Sequence, residues 1–195
     1  MRKSVLIFSV IAVVVVLALS LNLGCSRDML SGGATAQQSR ISVGIHHTLC
    51  LDKDGSLWAW GSNSSGQIGN GEKASGELLP VPMRKPEGMG NVVTISAGGS
   101  HNIALCEDGS LWAWGSNSFG QIGNGKGGEK DSKEFLPVPV RKPEGMGNVL
   151  AISAGSGHNL ALCGDGSLWA WGWNDYGQIG NGRNSRRELF PVRRE

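Results

Sequence analysis

Three histidines occupy the same position in three repeated stretches of the sequence, and they are the first candidates for chemistry. His47, His101 and His158 each lie shortly before a Trp-Ala-Trp segment, whereas His46 has no counterpart. A metal site would require three side chains from three repeats to converge on one ion. One histidine per repeat at a fixed turn is better explained by a structural hydrogen bond that ties the turn. We therefore predict three structural turn histidines and no metal site.

The cysteines that follow these histidines also fit a structural role. Cys106 and Cys163 are equivalent positions, and packed sheets lie about 10 Å apart, beyond the Cα separation of about 7 Å that a disulfide tolerates. Cys50 falls two positions earlier in its repeat. We predict small buried residues. No carboxylate pair, nucleophile elbow, phosphate loop or zinc spacing is recognisable, so the sequence predicts neither an enzyme nor a cofactor.

The three repeats differ in one short loop, which makes that loop the best candidate for binding. The segments SLWAWG and GQIGNG are identical in all three copies, but the residues between them vary. Trp and Tyr are enriched at binding hot spots, and the later copies gain aromatic residues there. An alternative is that these residues only cap the last repeat. The candidate binding loop consists of Phe119, Trp173, Asp175 and Tyr176.

The elements that would position these residues are short β-strands, as the second repeat shows most completely. Val92 to Ala97 and Asn102 to Cys106 are rich in β-forming residues, and Asp108-Gly109 predicts a type I′ hairpin turn before Leu111 to Trp114. A fourth strand at Leu136 to Arg141 contains alternating prolines, which favour a sheet edge. Four strands per repeat are typical of a propeller blade.

The Leu-Trp-Ala-Trp strand predicts how neighbouring blades pack. Leu111 and Ala113 point to one face of the sheet while Trp112 and Trp114 point to the other, so both faces are apolar. Stacking one blade on the next covers both faces without any helix. The predicted blade core therefore contains six tryptophans, namely Trp58, Trp60, Trp112, Trp114, Trp169 and Trp171.

These motifs resemble the regulator-of-chromosome-condensation repeat family. The shared features are A-G-x-x-H at Ala97 to His101, D-G-x-x-x-x-W-G at Asp108 to Gly115, and G-x-N-x-x-G-Q-x-G at Gly115 to Gly123, with counterparts in the other copies. The resemblance covers about residues 41–195 and implies an all-β fold of propeller blades, of which the family typically has seven. We place the repeats at 41–93, 94–150 and 151–195.

Three repeats form at most an open arc, because even small propellers have about four blades. The third repeat is expected to end partway through its fourth strand. An open arc leaves apolar sheet faces uncovered, and such faces invite partners. Three alternatives remain open: self-association that completes a ring, docking on another propeller-bearing protein, or a truncated propeller fragment without independent function.

The N-terminal segment predicts export. Arg2 and Lys3 precede an apolar run, and Gly24-Cys25 follows at its end, which is the layout of a signal sequence. LNLGC resembles the lipobox of bacterial lipoproteins, which implies lipidation of Cys25; an uncleaved anchor or an ordinary cleaved signal are the alternatives. Residues 1–25 are thus the predicted signal segment and 26–40 a flexible tether. The expected location is the cell envelope, membrane-anchored.

Charge and motifs together narrow the function. Arg2 and Lys3 account for the formal net charge of +2, and the neutral remainder gives no basic patch for nucleic acid. We expect an exported, membrane-anchored module that binds a protein or an envelope polymer. The resemblance implies an alternative, guanine-nucleotide exchange or a related regulatory role, and a related bacterial propeller suggests enzyme inhibition as a third.

Overall fold

The structure, a computed structural model, describes residues 40–183 and 185–194. The predicted signal segment with Cys25 lies outside the described residues, as does the tether except for Arg40. Within the described residues the chain is all β, as predicted, and it contains no helix. That part of the chain accordingly offers no helix that could cross a bilayer.

Twelve strands form three antiparallel sheets, which we call the first, second and third blades. In every blade the four strands lie side by side in chain order. The first blade contains β1 (Ile41–Val43), β2 (His47–Leu51), β3 (Leu57–Ser62) and β4 (Gly76–Pro82). The second contains β5 (Val92–Ala97), β6 (His101–Cys106), β7 (Leu111–Ser116) and β8 (Lys133–Pro139). The third contains β9 (Val149–Ala154), β10 (His158–Cys163), β11 (Leu168–Trp173) and β12 (Arg187–Arg193).

The fourth strand of each blade begins earlier than the sequence predicted. β8 starts at Lys133 because Glu134 pairs with Gly115, ahead of the prolines. β12 has the same seven residues of length as β8 and pairs with β11 in the same register. The third blade therefore has a whole fourth strand, which differs from the expected partial one. The blade boundaries likewise lie slightly earlier than predicted, since β5 begins at Val92 and β9 at Val149.

The Asp-Gly step closes the central hairpin of each blade through a turn that differs from the predicted one. In the second blade the N–H of Gly109 donates to the carbonyl of Cys106 at 2.9 Å. Gly109 has φ 76°, but neither Glu107 nor Asp108 has a positive φ. A type I′ turn needs positive φ at both central residues. The hairpin therefore uses a type I turn followed by a left-handed glycine. The prediction of a type I′ turn was wrong.

Each pair of neighbouring blades encloses one hydrophobic cluster. Trp112 and Trp114 of β7 pack into the cluster shared with the first blade, while Leu111 and Ala113 pack into the cluster shared with the third. Trp171 is fully buried in the second of these clusters. The alternation of the Leu-Trp-Ala-Trp strand thus places one apolar pair on each face of the sheet, as predicted.

The two end faces of the three-blade stack remain open among the described residues. Trp58 and Trp60, predicted to be core, are only partly buried because no other described strand packs on that side of the first blade. We call this side the first outer face; it carries Ile41, Val43, Trp58, Trp60 and Leu78. The opposite side of the third blade is the third outer face; it carries Leu160, Leu162 and Leu168.

Candidate functional site

The loop after the third strand of each blade is held in place by two side chains of the repeated motif. In the second blade Asn117 Oδ1 accepts the N–H of Ile122 at 3.1 Å, and its Nδ2 donates to the carbonyl of Lys126 at 3.1 Å. Gln121 Oε1 accepts the N–H of Phe119 at 2.8 Å. The same bonds recur in the other two blades. One backbone position is therefore displayed alike in all blades, and it carries Ser65, Phe119 and Tyr176.

Three aromatic side chains from two blades meet on this side of the molecule. We call Phe119, Trp173 and Tyr176 the aromatic cluster. The rings of Phe119 and Trp173 stack with centroids 5.2 Å apart and an interplanar angle of 28°. The ring of Tyr176 meets Trp173 edge-on, at 5.4 Å and 76°. Tyr176 is 83% exposed, whereas Phe119 and Trp173 are half-buried.

Asp175 fixes the orientation of the central ring in the cluster. Its Oδ2 accepts the indole N–H of Trp173 at 2.7 Å, and Asp175 itself is exposed. The aromatic cluster therefore has a carboxylate at its edge. The structure brings together all four residues of the predicted binding loop, Phe119, Trp173, Asp175 and Tyr176.

A glycine makes room for the cluster, and sequence reasoning did not identify it. A Cβ placed on Gly157 would lie 3.3 Å from Trp173 Cβ and 3.5 Å from Phe119 Cδ2. The equivalent residues in the first and second blades are His46 and Ser100, which are larger. An alignment of the three repeats could have identified Gly157, because the smallest residue at this position occurs in the same repeat as Trp173.

The loop of the second blade is longer than that of the first, and its segment 126–134 packs partly against the third blade. The guanidinium of Arg187 lies where a Cβ on Gly128 would be placed. Arg187 is also the partner of Trp173 in the pairing of β11 with β12. This segment and the aromatic cluster therefore lie near the same end of the third blade.

Two of the three repeated histidines, His47 and His101, form hydrogen bonds between blades, whereas the sequence predicted a bond within the turn. The Nε2–H of His47 donates to Asn102 Oδ1 at 2.7 Å, and that of His101 donates to Asn159 Oδ1 at 3.0 Å. Asn102 in turn donates to the carbonyl of Gln67 at 2.8 Å. Sequence reasoning missed these asparagines, because the first copy has Thr48 at their position.

Burial keeps these histidines neutral. It lowers the pKa of His101 to about 4, and it lowers the pKa of His47 and of His158 as well. A neutral imidazole carries one N–H, and in His47 and His101 the Nε2–H serves the bond to the next blade. These side chains therefore act as structural donors at neutral pH.

The remaining chemical candidates are buried. Cys50, Cys106 and Cys163 are all buried, and burial raises the pKa of the Cys106 thiol. Across residues 40–183 and 185–194, no group of three or more His, Cys, Asp or Glu side chains is arranged to hold a metal ion. The aromatic cluster is thus the exposed feature with the strongest character of a site.

The chain matches a known family over most of its length. The model of the regulator of chromosome condensation (RCC1) repeat matches residues 54–105, 108–162 and 165–195. A second model of this repeat matches residues 39–67, 92–121 and 149–178. Each match of the second model lies within one blade, whereas the first two matches of the first model run from the Asp-Gly turn of one blade into the second strand of the next.

Several curated proteins are similar in sequence. The probable E3 ubiquitin-protein ligase HERC6 of Homo sapiens is 37% identical over 146 residues, which are 72% of this chain and 14% of that protein. The ultraviolet-B receptor UVR8 of Arabidopsis thaliana is 33% identical over 146 residues, or 74% of this chain and 31% of that protein. The chain therefore spans less than a third of the length of these relatives.

Solved structures agree in fold. The structure of Prp20p from Saccharomyces cerevisiae is 26% identical and superposes with a TM-score of 0.67, covering 83% of this chain and 40% of that one. Human WBSCR16 is 22% identical with a TM-score of 0.69, covering 80% of this chain and 37% of that one. Because the repeat models match most of the chain and its described residues form three neighbouring four-stranded blades, the chain belongs to the RCC1 repeat family of β-propeller proteins.

Proposed function

We propose that this chain is a non-enzymatic binding module that recognises a partner protein through the aromatic cluster. One observation carries the proposal: Tyr176 is 83% exposed while its ring is held edge-on against the Phe119–Trp173 stack. Rigid aromatic surface of this kind contributes binding energy at little cost in side-chain entropy, and Trp and Tyr are enriched among hot-spot residues.

The position of the cluster argues against a role as a cap on the last blade. A cap would cover the third outer face, where Leu162 is 41% exposed. Trp173 instead stacks on Phe119 of the second blade, so the cluster bridges two blades on the loop side. Its exposed surface is therefore available to a ligand and does not complete the core.

A protein is a better candidate than a charged polymer. The aromatic cluster is mainly apolar, with the single carboxylate of Asp175 at its edge, and the chain beyond Arg2 and Lys3 has equal numbers of basic and acidic residues. Apolar contact surface with a polar edge is the usual composition of protein interfaces. Prp20p, which shares this fold, has binding properties toward Gsp1p and histones, and this supports protein recognition by such blades.

We also propose that the module is exported and held at the cell envelope by its N-terminal segment. The support is the sequence: a basic start, an apolar run and Gly24-Cys25. In this proposal Cys25 carries lipid and residues 26–40 tether the blades to the membrane. The partner would then be another protein of the envelope or one that reaches it.

Capture of a partner tests the proposed function. The full chain is tagged, captured from envelope extracts, and the partner is identified by mass spectrometry and purified. Replacing Tyr176 by Ser should weaken its affinity by at least tenfold, since a hot-spot residue contributes more than about 1.4 kcal/mol. Lys85→Ser is the control, because Lys85 is exposed in the connection between the first and second blades and lies outside both the aromatic cluster and the outer faces. Equal affinity of the two variants would contradict the proposal.

A further inference from the structure

The contact between neighbouring blades is built twice from the same parts. The indole N–H of Trp114 donates to the carbonyl of Gln67 at 3.0 Å, and that of Trp171 donates to the carbonyl of Gln121 at 3.1 Å. In each contact the following blade supplies the tryptophan and the preceding blade supplies the carbonyl. Each junction therefore joins two different surfaces, one that presents the tryptophan and one that presents the carbonyl.

A hydrogen bond from a backbone N–H to a serine hydroxyl accompanies each of these contacts. Ser42 Oγ accepts the N–H of Ala97 at 2.9 Å, and Ser96 Oγ accepts the N–H of Ala154 at 2.9 Å. The histidine-asparagine bonds described above also join the same pairs of blades. Three kinds of polar contact thus recur at both blade junctions, in addition to the apolar cluster.

The two outer faces carry the matching halves of this contact. The first outer face has Trp60 and Val43 at the positions of Trp114 and Ala97. The third blade has the counterparts of the groups that a preceding blade supplies: the carbonyl of Gln178 and Ser153 Oγ, which would accept, and the imidazole of His158, which would donate.

Burial shows which apolar residues of these faces would be covered by such a contact. Leu51 and Leu105 are 4% and 3% exposed between blades, while their counterpart Leu162 is 41% exposed. Phe135, the counterpart of Leu78, is half-buried, and the ammonium of Lys73 in the first blade lies 5.9 Å from its ring centroid. Leu78 itself is 99% exposed. Each outer face therefore exposes residues whose equivalents are covered at both internal junctions.

We propose that the first outer face of one copy binds the third outer face of a second copy, head to tail. This contact would continue the series of two junctions inside the chain, since the open halves match each other and neither matches itself. Such a contact is heterologous: it extends from copy to copy and closes into a ring only if the rotation permits. This proposal does not rest on the aromatic cluster.

Two departures make the contact between copies weaker than the internal junctions. Thr48 stands where Asn102 and Asn159 lie, so His158 would meet a hydroxyl, which offers fewer hydrogen bonds than an amide. The guanidinium of Arg194 lies beside Gly180, whereas the indole N–H of Trp114 lies beside Gly69. Arg194 is exposed, and its side chain must swing aside for Trp60 of the second copy.

The two-sided contact allows a mixing experiment with the full chain in detergent, in which molar mass is measured by light scattering. Leu78→Glu blocks only the first outer face and Leu162→Glu blocks only the third. Lys130→Glu is the control, since Lys130 is exposed in the loop of the second blade. We expect the wild type and Lys130→Glu to be larger than a monomer, and each blocked variant alone to be monomeric.

Mixing the two blocked variants in equal amounts should produce a dimer, because each retains the face that the other needs. A dimer in the mixture also shows that both variants are folded. A monomeric wild type, or a mixture that remains monomeric, would overturn the proposal. Blocked variants that associate as the wild type does would overturn it as well, and would assign the association to another surface.

Discussion

At the scale of single residues, the buried histidines and asparagines decide how blades are joined. His101 is fully buried, accepts no bond at Nδ1 among the described residues, and donates through Nε2 to Asn159. A second proton on this ring would be a buried charge without a partner, which is strongly unfavourable. Burial of this ring at the junction of the second and third blades therefore requires a neutral imidazole, whereas the bond to Asn159 by itself would favour the charged form.

This requirement predicts a loss of stability in acid. Since the pKa of His101 falls from 6.5 unfolded to about 4 folded, the unfolded state binds the extra proton first as the pH is lowered. The contribution of His101 to the free energy of unfolding is fully present above about pH 6.5. It decreases by about 3 kcal/mol as the pH falls toward 4. Melting temperatures measured between pH 7.5 and 4.5 should fall accordingly.

His101→Gln is the control for this prediction, because glutamine keeps an N–H donor for Asn159 and has no proton to gain. Its melting temperature should start lower at pH 7.5 and decline less steeply with acid than that of the wild type. Equal slopes for the two proteins would show that His101 does not govern the acid sensitivity.

At the scale of elements, the hairpins depend on glycines at specific bends of the sheet. Gly115 lies on β7 at a register shift of the β7–β8 ladder and has φ 101°. A Cβ there would lie 2.6 Å from the carbonyl oxygen of Ser100 and 2.7 Å from His101 Cα. Because Gly115 has no Cβ, the turn before β6 can lie directly against β7. This packing holds His101 in the junction between the second and third blades.

Gly115→Ala should therefore destabilise the fold more than a change in backbone preference explains. Gly145 is the matched control, since it has φ 81° but would have nothing within 4 Å of a Cβ. We expect a loss of about 1 kcal/mol for Gly145→Ala from the left-handed conformation, and about 3 kcal/mol for Gly115→Ala. Urea unfolding of both variants measures the difference, and equal losses would contradict the role given to the close approach.

The strands and turns also show how much of the fold could be predicted from the sequence alone. Alternation in Leu111 to Trp114 predicted the two-sided core, since side chains in a strand point to opposite faces whatever follows. The Asp108-Gly109 step did not determine the turn type, because a glycine after aspartate suits both a type I′ turn and a type I turn with a left-handed third residue. Asn102 was missed because its partner, His47, comes from another blade.

The candidate site was predicted in part for the same reason. Comparing the three copies identified Phe119, Trp173, Asp175 and Tyr176 as variable positions in equivalent loops. That Phe119 stacks on Trp173 depends on how closely two blades pack and on the space above Gly157. Such contacts between repeats do not follow from the pattern within one repeat.

At the scale of the whole molecule, the three blades offer two kinds of surface. The outer faces lie at the two ends of the stack. Each carries counterparts of residues that pack against a neighbouring blade at the internal junctions. The aromatic cluster lies at the end of β11 and in the loops after β7 and β11, is built by two blades, and shares no residue with either hydrophobic cluster. The proposed assembly and the proposed recognition therefore involve different residues and can be tested by separate substitutions.

Photo-crosslinking from the loop position shared by the blades tests the central claim most directly. Benzoylphenylalanine replaces Tyr176 in the full chain, and in a second variant it replaces Ser65, the equivalent residue of the first blade. On irradiation of intact cells, position 176 should give one adduct with a partner protein, and adding Trp173→Ala should abolish it. No adduct at position 176, or the same adduct at position 65, would contradict recognition through the aromatic cluster.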